Sequence, residues 1–346
     1  MNLSIATFLL QDALITGAVY ALLAVALVLV FSVTRVIFVP QGEFVAFGAL
    51  SMAALQNGKT PGVLWLLLLL AAIALVLELW QSVRTKDSKR AQRGVFIYGL
   101  LPSCVWGITA WLVPIGLPLW AHALLTMLLV VPLGPIIYRV VYQPVAHASV
   151  LVLLILSVAV HLALMGIALV FFGPEGARSP AFSDARWQLG DISVTGQSLW
   201  VLGASGFAIA TLAWFFNYTF RGKALKATSV NRVGAELMGI SSTAAGTLAF
   251  ALAAAIGALS GLLIGPITTI FYDTGFMFGL KGFVAAIVGG LVSYPLAALG
   301  ALLVGVLESY SSFWISAYKE VAVFTLILPV LVWRSLTSKH IEEDEE

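Results

Sequence analysis

Apolar runs about twenty residues long recur along the whole chain, and this recurrence limits the fold more than any single motif. At a rise of ~1.5 Å per residue, such a run crosses the ~30 Å hydrocarbon core of a bilayer as a helix. The period-2 alternation of membrane barrels does not accompany it. The 346 residues are 61% hydrophobic and 10% charged, against about a quarter charged in soluble domains. A soluble fold of this size cannot hide so much apolar surface, whereas lipid accepts it. The chain therefore reads as an all-α polytopic integral membrane protein with about 10–11 transmembrane helices or half-helices.

The segments fall near 10–32, 43–56, 62–80, 94–113, 118–138, 150–172, 197–219, 243–270, 277–293, 297–313 and 320–334. Segments 43–56 and 277–293 are short for a full crossing and read as half-helices or tilted pieces. No basic stretch or small-residue cleavage site accompanies the first segment, which is expected to be a retained span. No linker or low-complexity tract divides the chain, so residues 1–346 form one membrane domain. Residues 62–113, Leu- and Trp-rich and poor in small residues around the basic loop Gln81–Arg93, are expected to be peripheral and to face lipid.

Orientation follows from the basic residues. With the N-terminus outside and every segment crossing, the inward loops carry Arg35, Arg84, Lys86, Lys89, Arg90, Arg93, Arg139, Arg221, Lys223, Lys226, Arg232, Arg334 and Lys339. The outward loops carry only Lys59, Arg178, Arg186 and Lys319. Thirteen against four places the N-terminus outside and the C-terminus inside. The longest outward loop, Gly173–Gln197, holds Glu175, Arg178, Asp184, Arg186, Trp187 and Asp191 and is expected to cap a pore mouth or receive a soluble partner. The acidic tail, 340–346, is expected to be solvated.

Several stretches could carry function. In Val36–Phe44, Pro40 and Gly42 disfavour a continuous helix. Either Gln41, Gly42 and Glu43 lend polar groups to a solute at a broken helix, or Glu43 is solvated in an interfacial loop. Between Arg221 and Ser242, residues Ala224–Met238 are expected to form one helix. Leu225, Val230, Val233 and Leu237 lie on one side, Asn231, Arg232 and Glu236 on the other, and Gly239 caps the end. That helix either lies in the membrane interface or enters a groove on a soluble partner. Gly257, Gly261 and Gly265, four apart, mark a close helix seam, within the chain or between two chains. Lys281 and Glu308 sit in apolar runs, either as a pair that fixes helix register or as groups lining a path; His161 is either a hydrogen-bonded core residue or part of that path.

The single cysteine, Cys104, excludes an internal disulfide and reads as a small buried apolar residue. No His, Cys or carboxylate spacing suits a metal, no nucleophile, base and orienting group converge, and no G-x-x-x-x-G-K-[ST] cradles a nucleotide. Cofactor, metal, catalytic residue and nucleic-acid partner are all expected to be absent.

Lys226–Arg232 with Ala235 and Met238-Gly239-Ile240, and Gly279–Gly290, resemble the permeases of branched-chain amino acid ABC importers, the LivH/LivM type. So do Tyr138-Arg139 with Tyr142–Val145, Glu308 after Gly305-Val306-Leu307, and Tyr318-Lys319-Glu320. Gln41-Gly42-Glu43 is similar to the family's His-Gly-Glu, with Gln41 in place of His. The resemblance covers about residues 10–55 and 118–335, and residues 62–113 look like an added pair of spans. It implies one transmembrane permease domain in a bacterial inner membrane, paired with a second homologous permease. Two cytoplasmic ATP-binding subunits and a periplasmic solute-binding protein would complete the importer. The default solute is a branched-chain or other hydrophobic amino acid, with urea or amides, aromatic acids and dicarboxylates as alternatives. The implied path residues are Gln41, Gly42, Glu43, His161, Lys281 and Glu308; the implied ATPase contact is Asn231, Arg232, Glu236 and Gly239. An ion-coupled secondary transporter, a membrane enzyme and a receptor are the other classes left open.

Overall fold

The computed structural model describes residues 3–189 and 192–337; Asp191, Lys339 and the acidic tail lie outside the described residues. Helix α1 (Leu3–Thr34) runs the length of the bundle and is buried along most of it. After a left-handed turn at Arg35 (φ 60°), the chain folds back and α2 (Gln41–Gln56) starts behind Pro40. Helix α3 (Val63–Thr85), α4 (Ser88–Gly94), a π-helical stretch and α5 (Leu101–Leu112) form an outer limb. Helices α6 (Leu119–Val130) and α7 (Leu133–Ile137) continue through tight turns to Val145, and α8 (Val150–Phe172) follows.

Strands β1 (Arg186–Leu189) and β2 (Ile192–Thr195) pair antiparallel, with Arg186 opposite Thr195, and lead into α9 (Gly196–Tyr218). Then come α10 (Phe220–Val230), α11 (Arg232–Leu237), α12 (Ser242–Ile264), α13 (Thr274–Val288), α14 (Tyr294–Trp314), α15 (Lys319–Thr325) and α16 (Ile327–Thr337). Side chains cap most of the later starts: Thr195, Thr219, Asn231, Ser241 and Ser293 each accept a backbone N–H from the first turn beyond them. Among the described residues, nine helical segments are long and apolar enough to cross a membrane, and α13 is a shorter apolar helix. The all-α polytopic architecture is the one the sequence predicts, the short hairpin excepted.

Helix α1 packs against α9, α12, α13 and α14, and α2 against α6, α8, α12 and α13. Depth can be read from these contacts. Gln41, at the start of α2, donates from Nε2 to the carbonyl of Ala253, half-way along α12. Gly257 lies on Phe44, and Gly261 lies on Val45 and Ala49, so α2 and α12 run parallel. Thus α2 begins at mid-bundle and runs to the hairpin end. Helix α13 begins there too: Gly275 and Gly279 close on Gly42, and Gly282 rests on Leu23 in the middle of α1. The two short helices meet through their N-terminal turns and run to opposite ends.

Three expectations are corrected. The helix expected over Ala224–Met238 is two helices, α10 and α11, because Asn231 leaves the helical region (φ −149°, ψ 102°) and its side chain caps α11. Of the apolar side expected there, Leu225 is buried, while Val230, Val233 and Leu237 are exposed. Cys104 is exposed on α5, not buried, since a helix at the rim of a membrane bundle carries apolar residues on every face.

Candidate functional site

Glu43 occupies the first turn of α2 and is wholly buried. Its Oε1 lies 2.9 Å from His161 Nδ1, and the His161 ring stacks on Phe276 of α13 at 4.3 Å. Helix α8 turns a single buried stripe inward, Leu153, Ser157, His161, Leu164 and Ala168, at helical spacing. Gly42 lets the backbones touch: a Cβ there would stand 1.9 Å from the Gly275 carbonyl oxygen. Two acceptors at this junction are buried without a hydrogen-bond partner, Glu43 Oε2 and Gln41 Oε1. A helix N-terminus favours a carboxylate, yet a buried acceptor left without a donor costs about 1–3 kcal/mol. The junction therefore presents acceptor groups to any donor that reaches mid-bundle, an ammonium or hydroxyl included.

Lys281 and Glu308 also come together, as a separate cluster. Lys281 Nζ lies 2.5 Å from Glu308 Oε1 and 3.1 Å from Glu320 Oε1, and Tyr20 donates to Glu308 Oε2 at 2.5 Å. Helices α1, α13, α14 and α15 are tied at one point. Glu320 and Tyr20 escaped the sequence reading; Glu320 lies in the Tyr318-Lys319-Glu320 stretch, but nothing in the sequence distinguishes Tyr20. No hydrogen bond or ion pair among the described residues joins this cluster to Glu43 and His161. They share only α13, which carries Phe276 and Lys281.

At the end away from the hairpin, Arg232 donates from Nη1 to the Ala146 carbonyl (3.2 Å) and pairs with Glu236 (3.6 Å). The Ser242 hydroxyl and then the Arg232 charge hold the Glu236 carboxyl below its ordinary range. Gly239 follows α11 with φ +82°. Phe220, Val230, Val233, Leu237 and Met238 are all largely exposed around these short helices. Phe220, Leu225, Met238, Ile240 and Leu248 help line an apolar groove of about 740 Å³ between α10 and α12. The glycine seam is internal: Gly257 and Gly261 press on α2, and a Cβ at Gly261 would stand 2.2 Å from the Val45 oxygen. A further charge cluster, part-buried and unnoticed in the sequence, pins the outer limb: Glu78 pairs with Arg90 and with Arg139.

The family described as branched-chain amino acid transport system, permease component, matches residues 9–332. The high-affinity branched-chain amino acid transport system permease protein LivH of Salmonella typhimurium is 31% identical over 203 residues, and that of Escherichia coli K12 is 30% identical. Each match covers 57% of this chain and 66% of the relative, just under two thirds of its length. The permease protein BraD of Pseudomonas aeruginosa is 29% identical over 208 residues, 58% of this chain and 68% of the relative. No solved structure matches the chain.

Proposed function

Because the chain belongs to the family of branched-chain amino acid transport permease components, we propose that it is the membrane subunit of an ATP-binding-cassette importer for a small apolar amino acid. It pairs with a second, similar permease and works with two cytoplasmic ATPases and a binding protein outside the membrane. The hairpin end faces outward, and α10 and α11 face the ATPases.

One observation carries the reading. Two short helices meet at mid-bundle, where Glu43 Oε2 and Gln41 Oε1 have no protein donor. Irregular backbone and buried polar groups at that depth belong beside a polar cargo. Solute passing the junction donates hydrogen bonds to these acceptors, while Gly42 against Gly275 keeps α2 and α13 close enough to move together. Exposed apolar side chains on α10 and α11 suit a groove on a soluble motor, and Arg232 links that surface to Ala146.

The test is uptake of labelled leucine into proteoliposomes holding the chain with a second permease of its family and two ATPases, with a solute-binding protein outside. Uptake that needs internal ATP and falls at least tenfold in E43Q is expected. A second reading, an ion-coupled carrier, draws on the same pair of interrupted helices. Uptake that persists without ATP while an ion gradient is held favours it.

A further inference from the structure

The turn that joins α3 to α4 gathers Arg84, Lys86, Lys89, Arg90, Arg93 and, from the neighbouring segment, Arg139, against two acids, Glu78 and Asp87. Both acids are already engaged. Glu78 pairs with Arg90 and Arg139, and Asp87 Oδ1 accepts the backbone N–H groups of Lys89 and Arg90 as the cap of α4. Arg84, Lys86, Lys89 and Arg93 are exposed, and none of them takes part in an ion pair among the described residues. The turn that carries them is fixed. Lys86 is left-handed (φ 55°), the Ser82 hydroxyl donates to the Asp87 carbonyl at 2.6 Å, and a Cβ at Gly94 would stand 2.7 Å from Glu78 Cγ.

Each of the two helices leads from these cations into exposed apolar surface. On α3, Leu69, Ile73, Val76 and Trp80 lie at helical spacing and are all exposed. Arg84 follows in the same row, its guanidinium 3.9 Å from the centre of the Trp80 ring. On the returning limb Lys89 and Arg93 share a face one turn apart, and Phe96 and Leu100 are exposed further along it.

We propose that this turn is a binding site for an anionic phospholipid, its phosphate on Arg84, Lys86, Lys89 and Arg93 and its acyl chains along the exposed apolar rows of α3 and of the π-helical stretch before α5. Guanidinium groups grip phosphate oxygens in a fork, and basic residues clustered beside a membrane span attract anionic headgroups. The order of cation and then apolar row, repeated on both helices, matches a molecule with one charged head and long tails. A free phosphate or an acidic peptide would use the cations and leave Trp80 and Phe96 uncovered. A zwitterionic phospholipid brings its own ammonium against four like charges. A charge bias that only sets topology demands no saturable preference among lipids, whereas a built site does.

The experiment is native mass spectrometry of the full-length chain in detergent, titrated with phosphatidylglycerol or with phosphatidylcholine of the same acyl chains. Wild type is expected to bind phosphatidylglycerol saturably and at least tenfold more tightly, and excess glycerol 3-phosphate should not displace it. R84Q/K86Q and K89Q/R93Q spare both ion pairs of Glu78, and each should lower the preference at least threefold. K223Q/K226Q removes the same charge from exposed positions of α10 and should leave the preference unchanged. Equal binding of the two lipids by wild type, a preference that survives both double variants at the turn, or an equal loss in K223Q/K226Q overturns the assignment. Displacement by glycerol 3-phosphate overturns it too, since the apolar rows then contribute nothing. A preference that emerges only after removal of residues 340–346 would assign the cations to that acidic segment in place of lipid.

Discussion

His161 of α8 reaches across to Glu43 of α2 with 2.9 Å between Nδ1 and Oε1, and both side chains are buried. Taking away one member of a buried hydrogen-bonded pair leaves the other without its partner, at a cost of about 1–3 kcal/mol and more for a charged group. H161A should therefore lower the thermal unfolding temperature of the purified protein sharply. Adding E43Q should recover at least half of the loss, because a neutral amide tolerates burial better than a lone carboxylate. Additive costs in the double variant would show that the two groups are not coupled.

Gly42 and Gly275 face each other across the junction of α2 and α13, and a Cβ on Gly275 would stand 2.4 Å from the Gly42 oxygen. The obstacle is backbone, which cannot rotate away, so overpacking should exceed the usual cost of about 1–3 kcal/mol. G42A and G275A are expected to reduce the amount of folded protein recovered from membranes several-fold. Gly206, on the outer face of α9, has nothing within 4 Å of a built Cβ, and G206A should match wild type. Equal recovery of all three variants would contradict the close approach.

The number of membrane segments was legible because lipid demands a run of fixed length; α2 and α13 stood out because they are short. Which face of each run turns inward was not. Helix α8 is apolar all round, and its inward stripe is marked only by Ser157 and His161. Cys104 was misread for the same reason. Asn231 divides α10 from α11 by capping, a signal present in the sequence but outweighed there by the apolar spacing around it. The ion pairs of Glu78 with Arg139 and of Lys281 with Glu320 join residues far apart in the chain. Spacing along a sequence carries no trace of such contacts, and the four-residue strands of the hairpin are too short for an alternating pattern to register.

Lys281 serves two carboxylates, with its own side chain and that of Glu308 mostly buried and that of Glu320 more open. K281M leaves Glu308 without its cation and should destabilise the protein by about 3–5 kcal/mol. E320Q, at the exposed side, should cost under about 1 kcal/mol. The double variant K281M/E308M replaces the pair with apolar groups and should regain stability. Restored stability with restored uptake assigns the pair to helix register; restored stability without uptake assigns it to the path. Unfolding in detergent and uptake in proteoliposomes read the two separately.

Arg232 ties α11 to the Ala146 carbonyl, and its Nη2 lies 3.5 Å from the Ser242 hydroxyl at the start of α12. A push on α11 thus reaches two other segments through one guanidinium. R232Q is expected to leave the permease and ATPases assembled and ATP hydrolysis running while uptake falls at least tenfold. E236Q should have a smaller effect, since Glu236 is about half exposed. The Glu236 carboxyl titrates below its ordinary value, first because Ser242 donates to it and then because Arg232 is near. Its contribution is therefore complete above the unfolded carboxyl pKa of ~4.3 and is lost as pH falls through the depressed folded value. S242A should move that titration back upward, as read from the carboxyl carbon shift of labelled Glu236. Unimpaired uptake in R232Q, with hydrolysis still matched to transport, would mean that the motor does not act through this side chain.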